Sequence, residues 1–462
     1  MTQKNIVILF TDDQRFDTIQ ALNNPVIQTP NIDALVSEGC TFTRAHIPGG
    51  TSGAICMPSR AMLHTGRTLF HLDDCGQSIP DEHRMLGEHL QEHGYQTFGT
   101  GKWHNGTAAY ARSFNHGAEI FFGGMDDHWN VPVHNYDPSG KYESRLPICP
   151  DASNSNDVIN RNGDHLTAGK HSSELFAEAA AEFITGYESE DPFFVYVSFM
   201  APHDPRVMPA DFLNLYDAET IELPANFLGA HPFENGALHC RDEELEAFPR
   251  MPDKIKTHIA EYYAMITHLD DEIGKVISAL KESGQYENTI IVFAGDNGLA
   301  LGQHGLMGKQ SMYEHSIRVP LIFSGPGIKQ GQSDSYCYLL DIYATLCELV
   351  GIETPDTVDG KSLINAINSD ASIRDDLYFA YVNSQRAVKD QRYKLIEYVC
   401  EGKNNMSQLF DLENDPWEME NLIDHPEHQE RVKKLRERLY DYVNEWDEQK
   451  HPYGTEFWEA MT

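Results

Sequence analysis

The chain predicts an α/β fold: an α/β/α sandwich on a large mixed β-sheet, plus a smaller C-terminal α+β domain with a short antiparallel sheet. Three observations carry this expectation. Short apolar runs recur along the first 330 or so residues, with helical patterns between them. Each run ends in polar, chemically capable residues, as strands of an open α/β sheet do at their carboxyl ends. Past about residue 370 the pattern changes to short strand-like runs and a charged amphipathic helix. The expected units are therefore 1–370 and 371–462.

In chain order, Asn5–Phe10 is a buried-strand pattern leading into Thr11-Asp12-Asp13. Tyr95–Thr100 leads into Gly101-Lys102-Trp103-His104. Residues 105–170 are dense in Gly, Asn, Asp and His with poor periodicity, which reads as a long irregular binding insertion. Ser172–Tyr187 carries Leu175, Phe176, Ala179 and Phe183 on one helical stripe. Phe193–Met200 leads into Ala201-Pro202-His203-Asp204. Ile255–Glu282 is a long amphipathic helix with Ile259, Tyr263, Ile266, Ile273, Ile277 and Leu280 on its apolar face. Thr289–Ala294 leads into Gly295-Asp296-Asn297-Gly298, and the helix Leu339–Val350 stops at Gly351. In the C-terminal unit, Asp376–Val382 and Tyr393–Tyr398 read as strands, Phe410–Pro416 as a turn and His428–Tyr442 as a helix.

Composition excludes several classes. Lys and Arg total 35 and Asp and Glu total 71, a formal net charge of −36. Nucleic acid needs a basic stripe, and an anionic membrane needs basic clusters, so neither is an expected partner. No run reaches the ~18 apolar residues of a membrane-spanning helix. The N-terminus lacks a signal-peptide pattern, so the sequence as it stands points to the cytoplasm, or to the periplasm or secretion if a leader has been removed. The eight cysteines include no C-x-x-C pair and read as mostly free buried thiols.

The most informative stretch is Cys56-Met57-Pro58-Ser59-Arg60 with Thr65-Gly66-Arg67 after it. A Cys before Pro and a helical pattern sits at a helix N-terminus, a position that favours negative charge. Read by itself, Cys56 is a thiolate nucleophile. The motif as a whole resembles the signature of the cysteine-type sulfatases, within the alkaline-phosphatase superfamily. That resemblance implies that Cys56 is oxidised to formylglycine by a maturation enzyme, an obligate transient partner. It further implies that the aldehyde hydrate is the nucleophile and that hydrolysis of a sulfate monoester passes through a covalent sulfo-enzyme intermediate.

The resemblance extends along nearly the whole chain. Asp12, Asp13, Asp296 and Asn297 match the family's metal site, and four hard oxygen side chains suit Ca²⁺, with Mg²⁺ as the alternative. Arg60, Lys102, His104, His203 and Lys309 match its remaining active-site positions. A sulfate ester is anionic and its transition state puts charge on the leaving oxygen, so clustered cations meet a physical need. Arg60 is expected to orient the modified side chain, and Lys102 and Lys309 to bind sulfate. His203 is the expected general acid and His104 the base of the second step. His315 departs from the family pattern, where an acidic residue is common.

The substrate is less legible. Asp74, Arg112, His128, Trp129, Arg206 and His304 are the expected substrate-binding residues. With the other His and aromatic residues of the insertion they suit a polar, carbohydrate-sized pocket, and so an exo-acting carbohydrate sulfatase. The competing expectations are an arylsulfatase or choline-sulfatase-like enzyme, a phosphonate monoester or phosphodiester hydrolase, and a sulfated-glycan binding protein without turnover.

Overall fold

The computed structural model describes residues 3–369, 371–400, 402 and 405–461. The expected boundary residue, Asp370, lies outside them. An eight-stranded mixed sheet forms the centre, in the order Gly331–Ser333, Gly39–Phe42, Leu321–Ser324, Thr289–Gly295, Asn5–Thr11, Phe193–Ser198, Gln96–Lys102 and His116–Phe121. The last five strands of that order are mutually parallel. All seven residues of Asn5–Thr11 are buried. Ile6, Ile8 and Phe10 enter one apolar core, while Val7 and Leu9 enter the other. That two-sided burial is why the run is continuously apolar rather than alternating.

Helices cover both faces. The long helix Pro252–Glu282 and the helix Ser172–Thr185 pack together on one side. Pro252 opens the first of these at a position where its missing N–H costs nothing. The signature helix Cys56–Thr65 lies on the other side with every residue buried. It ends at Gly66, whose φ of +64° lets the amide cap the carbonyl of Met62 at 2.8 Å.

A second sheet runs in the order Met406–Asp411, Tyr393–Tyr398, Gln385–Lys389, Leu377–Tyr381 and Gly49–Gly50. Its first four strands are antiparallel, as expected, and the fifth joins parallel from the segment just before the signature helix. Two of these strands depart from the sequence reading. Gln385–Lys389 has no counterpart among the expected strands, and its Gln385, Arg386 and Lys389 are polar. They are buried because each finds a polar partner, Arg386 pairing with Glu448 at 2.6 Å. Phe410 and Asp411 end a strand, and the turn follows them. The insertion is also less irregular than expected. It supplies the edge strand His116–Phe121, the helix Thr107–Ser113 and a hairpin of Arg145–Ile148 with Ile159–Asn162.

Candidate active site

The parallel register brings the polar tips together. Thr11 pairs with Gly295, Phe10 with Ser198, and Ser198 with Gly101. Asp12, Asp13, Asp296, Asn297, Lys102 and His203 therefore emerge at one edge of the sheet. The signature helix delivers Cys56 and Arg60 from the side, and the loop 302–311 delivers Lys309.

Ligand atoms of Asp12, Asp13, Cys56 and His203 lie within 4.8 Å of one another, all buried. Lys309 Nζ stands 2.6 Å from Asp13 Oδ1 and 3.2 Å from Cys56 Sγ. Lys102 Nζ pairs with Asp12 Oδ2. Asp13 holds φ at +61°, a left-handed conformation a non-glycine residue adopts at some cost. Its amide donates to Asp296 Oδ1 at 3.0 Å, and Tyr262 of the long helix donates to its carbonyl at 2.5 Å.

Arg60, expected to orient residue 56, makes its side-chain hydrogen bonds to the strand ends. Its Nε donates to Asp296 Oδ2 at 3.1 Å and its Nη2 to Asp12 Oδ2 at 2.9 Å. Nη1 reaches the Lys102 carbonyl at 3.3 Å and Ser198 Oγ at 2.5 Å. Arg60 thus ties four strand ends together. Although burial opposes ionisation of Asp12, Lys102 and Arg60 hold it below the usual carboxylate range. Burial and the charge of Asp12 push Asp296 up to about 6.

Cys56 as a thiol is poorly suited to attack. Burial and Asp12 push it up to about 12, against the pull of Lys102 and Lys309. The helix N-terminus alone does not make a thiolate here, which corrects the simplest reading of the motif. Burial, with Lys102 and Arg60, lowers His104 to about 2, so its imidazole is neutral. His203 donates from Nδ1 to the Asp204 carbonyl at 2.8 Å, leaving Nε2 3.7 Å from Asp13 Oδ2.

The donor set fits a hard cation. Asp12 Oδ1 and Asn297 Oδ1 are buried without a hydrogen-bond partner, and an unpartnered buried acceptor costs about 1–3 kcal/mol. Asn297 spends its amide nitrogen on Asp13 Oδ1 and the Gly298 carbonyl, which leaves its oxygen as the free donor atom. All-oxygen sets of this kind suit Ca²⁺ or Mg²⁺.

The expected substrate residues scatter. His128 is buried under the His203 loop, and His304 stacks on Tyr313 at 3.8 Å while donating to the Glu418 carbonyl. Arg112 is spent on Glu88 and on the carbonyls of Ile79 and His83. Asp74 is exposed and Trp129 is half-buried against His171. Arg206 donates to His258, keeps Nε without a partner and lies within electrostatic reach of Asp13.

Several site residues escaped sequence reasoning. Ser59 donates to the Asp296 carbonyl at 2.6 Å, and Asn105 donates to the Met57 carbonyl at 2.9 Å. Glu243 accepts from the amides of Met307 and Gly308 and from Arg250, and so anchors the loop of Lys309. Asp242 accepts from Gln310. Ser59 sits inside the Cys56 motif, and Asn105 directly follows the Lys102–His104 motif. Asp242 and Glu243 lie in a stretch with no local signal.

A family model described as Sulfatase matches residues 4–352. The chain belongs to the sulfatase family. A second model, N-sulphoglucosamine sulphohydrolase, C-terminal, matches residues 302–445 of this sulfatase. An arylsulfatase of Clostridium perfringens is 28% identical, over 94% of this chain and 93% of its own. An N-acetylglucosamine-6-O-sulfatase of Bacteroides thetaiotaomicron is 24% identical, over 94% and 85%. A structure solved in complex with its substrate D-glucosamine-2-N,6-O-disulfate superposes with a TM-score of 0.75 at 22% identity, covering 98% of this chain and 99% of its own. The protein is a sulfuric ester hydrolase, of a family that generally uses formylglycine and a divalent metal. No helix among the described residues is long and apolar enough to cross a membrane.

Proposed function

We propose that this sulfatase is an exo-acting carbohydrate sulfatase, with formylglycine at position 56 and one Ca²⁺ held by Asp12, Asp13, Asp296 and Asn297. The charge balance of the buried cluster carries the reading. The carboxylates of Asp12, Asp13 and Asp296 face the cations Arg60, Lys102 and Lys309, so the set is neutral as it stands. A divalent ion adds two positive charges. A sulfate monoester and a deprotonated hydroxyl at residue 56 would together supply the two negative charges that match it. Such matching in a water-poor site is the main source of rate enhancement in reactions of this kind.

Bound there, the ion would polarise sulfate oxygens, and the formylglycine hydrate would supply a hydroxyl of lowered pKa. Lys102 and Lys309 would bind the transferring sulfuryl oxygens. To act as the acid, His203 would carry hydrogens on both ring nitrogens, keeping the Nδ1 hydrogen on the Asp204 carbonyl and giving the Nε2 proton to the leaving sugar oxygen. His104, neutral through burial, would take up the proton released later in turnover. A sulfated sugar is favoured as substrate by the N-acetylglucosamine-6-O-sulfatase relative and by the neighbour with bound glucosamine disulfate. Arg206 and Trp129 remain the candidate sugar contacts. A formylglycine-generating enzyme is the implied transient partner.

The test is the mass of the Cys56 peptide after co-production with a maturation enzyme, joined to sulfate release from sulfated monosaccharides. Aryl phosphonate and phosphodiester serve as controls. Conversion of thiol to aldehyde or hydrate, with sugar desulfation abolished in Cys56→Ala, is the expected result. Near-normal turnover by Cys56→Ala would sink the mechanism. Faster turnover of the phosphonate than of any sulfate would move the enzyme to the neighbouring hydrolase class.

A further inference from the structure

His128 touches the site through a carbonyl. Its ring is fully buried, with Nε2 3.1 Å from the carbonyl oxygen of His203 and Nδ1 2.7 Å from Ser172 Oγ. A carbonyl only accepts, so Nε2 carries the hydrogen and Nδ1 accepts from the Ser172 hydroxyl. The Ser172 amide closes the arrangement by donating to the His128 carbonyl at 2.8 Å. His171 lies parallel to His128, with ring centroids 5.0 Å apart and planes 8° apart. Its Nδ1 accepts from the Ser173 amide, and its Nε2 donates to the Val207 carbonyl at 2.9 Å. Two stacked imidazoles therefore grip the segment 203–207 at both ends. Burial lowers His128 to about 4 and His171 to about 2, so both keep these neutral tautomers.

The same insertion reaches the other imidazole of the site. A Cβ on Gly124, four residues before His128, would stand 3.0 Å from Cε1 of His104. The segment 124–128 thus spans His104 and His203.

We infer that His128, backed by His171 and Ser172, is a positioning residue that aims His203 Nε2 at the leaving-group oxygen. This rests on the reading of His203 as general acid. The proton passes from Nε2 to the leaving oxygen as the S–O bond breaks, so an error of aim harms poor leaving groups most. General acid catalysis of this kind is worth about 10²–10⁴-fold.

The experiment compares kcat for 4-nitrophenyl sulfate and unsubstituted phenyl sulfate in the matured enzyme. Wild type, His203→Ala, His128→Phe, His128→Gln and Ser172→Ala are measured with their thermal midpoints. His128→Phe keeps the stack and loses the donor. It should cost phenyl sulfate roughly 30-fold and the nitrophenyl ester no more than about 3-fold, a selectivity that follows from acid catalysis. His128→Gln, which retains a donor, should recover most of that loss. Ser172→Ala should move the ratio the same way to a smaller extent, and it keeps the test open if His128→Phe does not fold. Equal losses on both esters, or none, in variants that fold would overturn the assignment while His203→Ala remains selective. If His203→Ala itself shows no leaving-group selectivity, the reading of His203 as acid fails, and this inference falls with it.

Discussion

At the scale of single residues, the site is a set of opposed charges, each paired with another. Asp296 shows the tension, since it accepts from Arg60 and from the Asp13 amide yet is pushed up to about 6 by burial and Asp12. A divalent ion bound there, as proposed, would relieve that repulsion. Asp296→Ala should therefore lose bound metal, read by elemental analysis, and at least ~10²-fold in kcat, the order found when an electrostatic stabiliser is removed. Full metal content in that variant would take Asp296 out of the ion's shell. The residues of this site were legible to different degrees. Cys56, Asp12, Lys102 and Lys309 stand in short motifs whose chemistry is local. Glu243 acts on Lys309 only through backbone amides brought near by folding, and no pattern in sequence marks such a contact.

At the scale of elements, the end of the signature helix explains why glycine follows Thr65 in the motif. Gly66 holds φ at +64°, and a Cβ there would stand 2.6 Å from Val358 Cγ1. Gly66→Ala should lower unfolding stability by about 1–3 kcal/mol, from the left-handed conformation and the forced contact together. Urea denaturation at constant m-value measures it, and an unchanged midpoint would show that the neighbouring loop yields freely. Four buried strands of the large sheet, Asn5–Thr11, Gln96–Lys102, Phe193–Ser198 and Thr289–Gly295, were readable because apolar continuity is itself the signal of two-sided burial, whereas the short buried strand Gly39–Phe42 was not. Gln385–Lys389 was not, because its burial depends on Glu448, which lies far along the chain.

At the scale of the whole molecule, the two sheets are joined by a buried ionic network. Lys394 pairs with Glu314 at 3.1 Å and with Glu418, and Lys389 pairs with Glu314 at 2.7 Å. Removing one partner leaves buried charge uncompensated, so Lys394→Met should cost about 3–5 kcal/mol. Chemical denaturation reads this, and a loss under about 1 kcal/mol would mean that the network rearranges without cost. A nearer-surface pair links the turn after the signature helix to the segment 357–361. His71 Nδ1 lies 2.8 Å from Asp359 Oδ2. That hydrogen bond raises His71 above its usual 6.5. Burial opposes ionisation of Asp359, but the bond from His71 still holds it below its ordinary value. A histidine raised in the folded state contributes stability that is full below about pH 6.5 and is lost as pH rises through its folded pKa. His71→Ala should remove that slope above about pH 6.5, with an effect under about 1 kcal/mol for so accessible a pair. Identical stability slopes in the two proteins between pH 6 and 9 would exclude the linkage.

The amino-acid sequence by itself determined the α/β class, the strand tips that carry acids and cations, and the sulfatase signature at Cys56. These are written in short windows, where apolar run, turn and reactive group are neighbours in the chain. Tertiary structure alone decided which groups meet. It paired Arg60 with Asp12 and Asp296, pushed the Cys56 thiol up to about 12, and set His128 beneath the His203 carbonyl. The physical reason is the range of the forces. Patterning acts over a few residues, whereas desolvation and charge pairing depend on what lies within a few ångströms after the chain has folded.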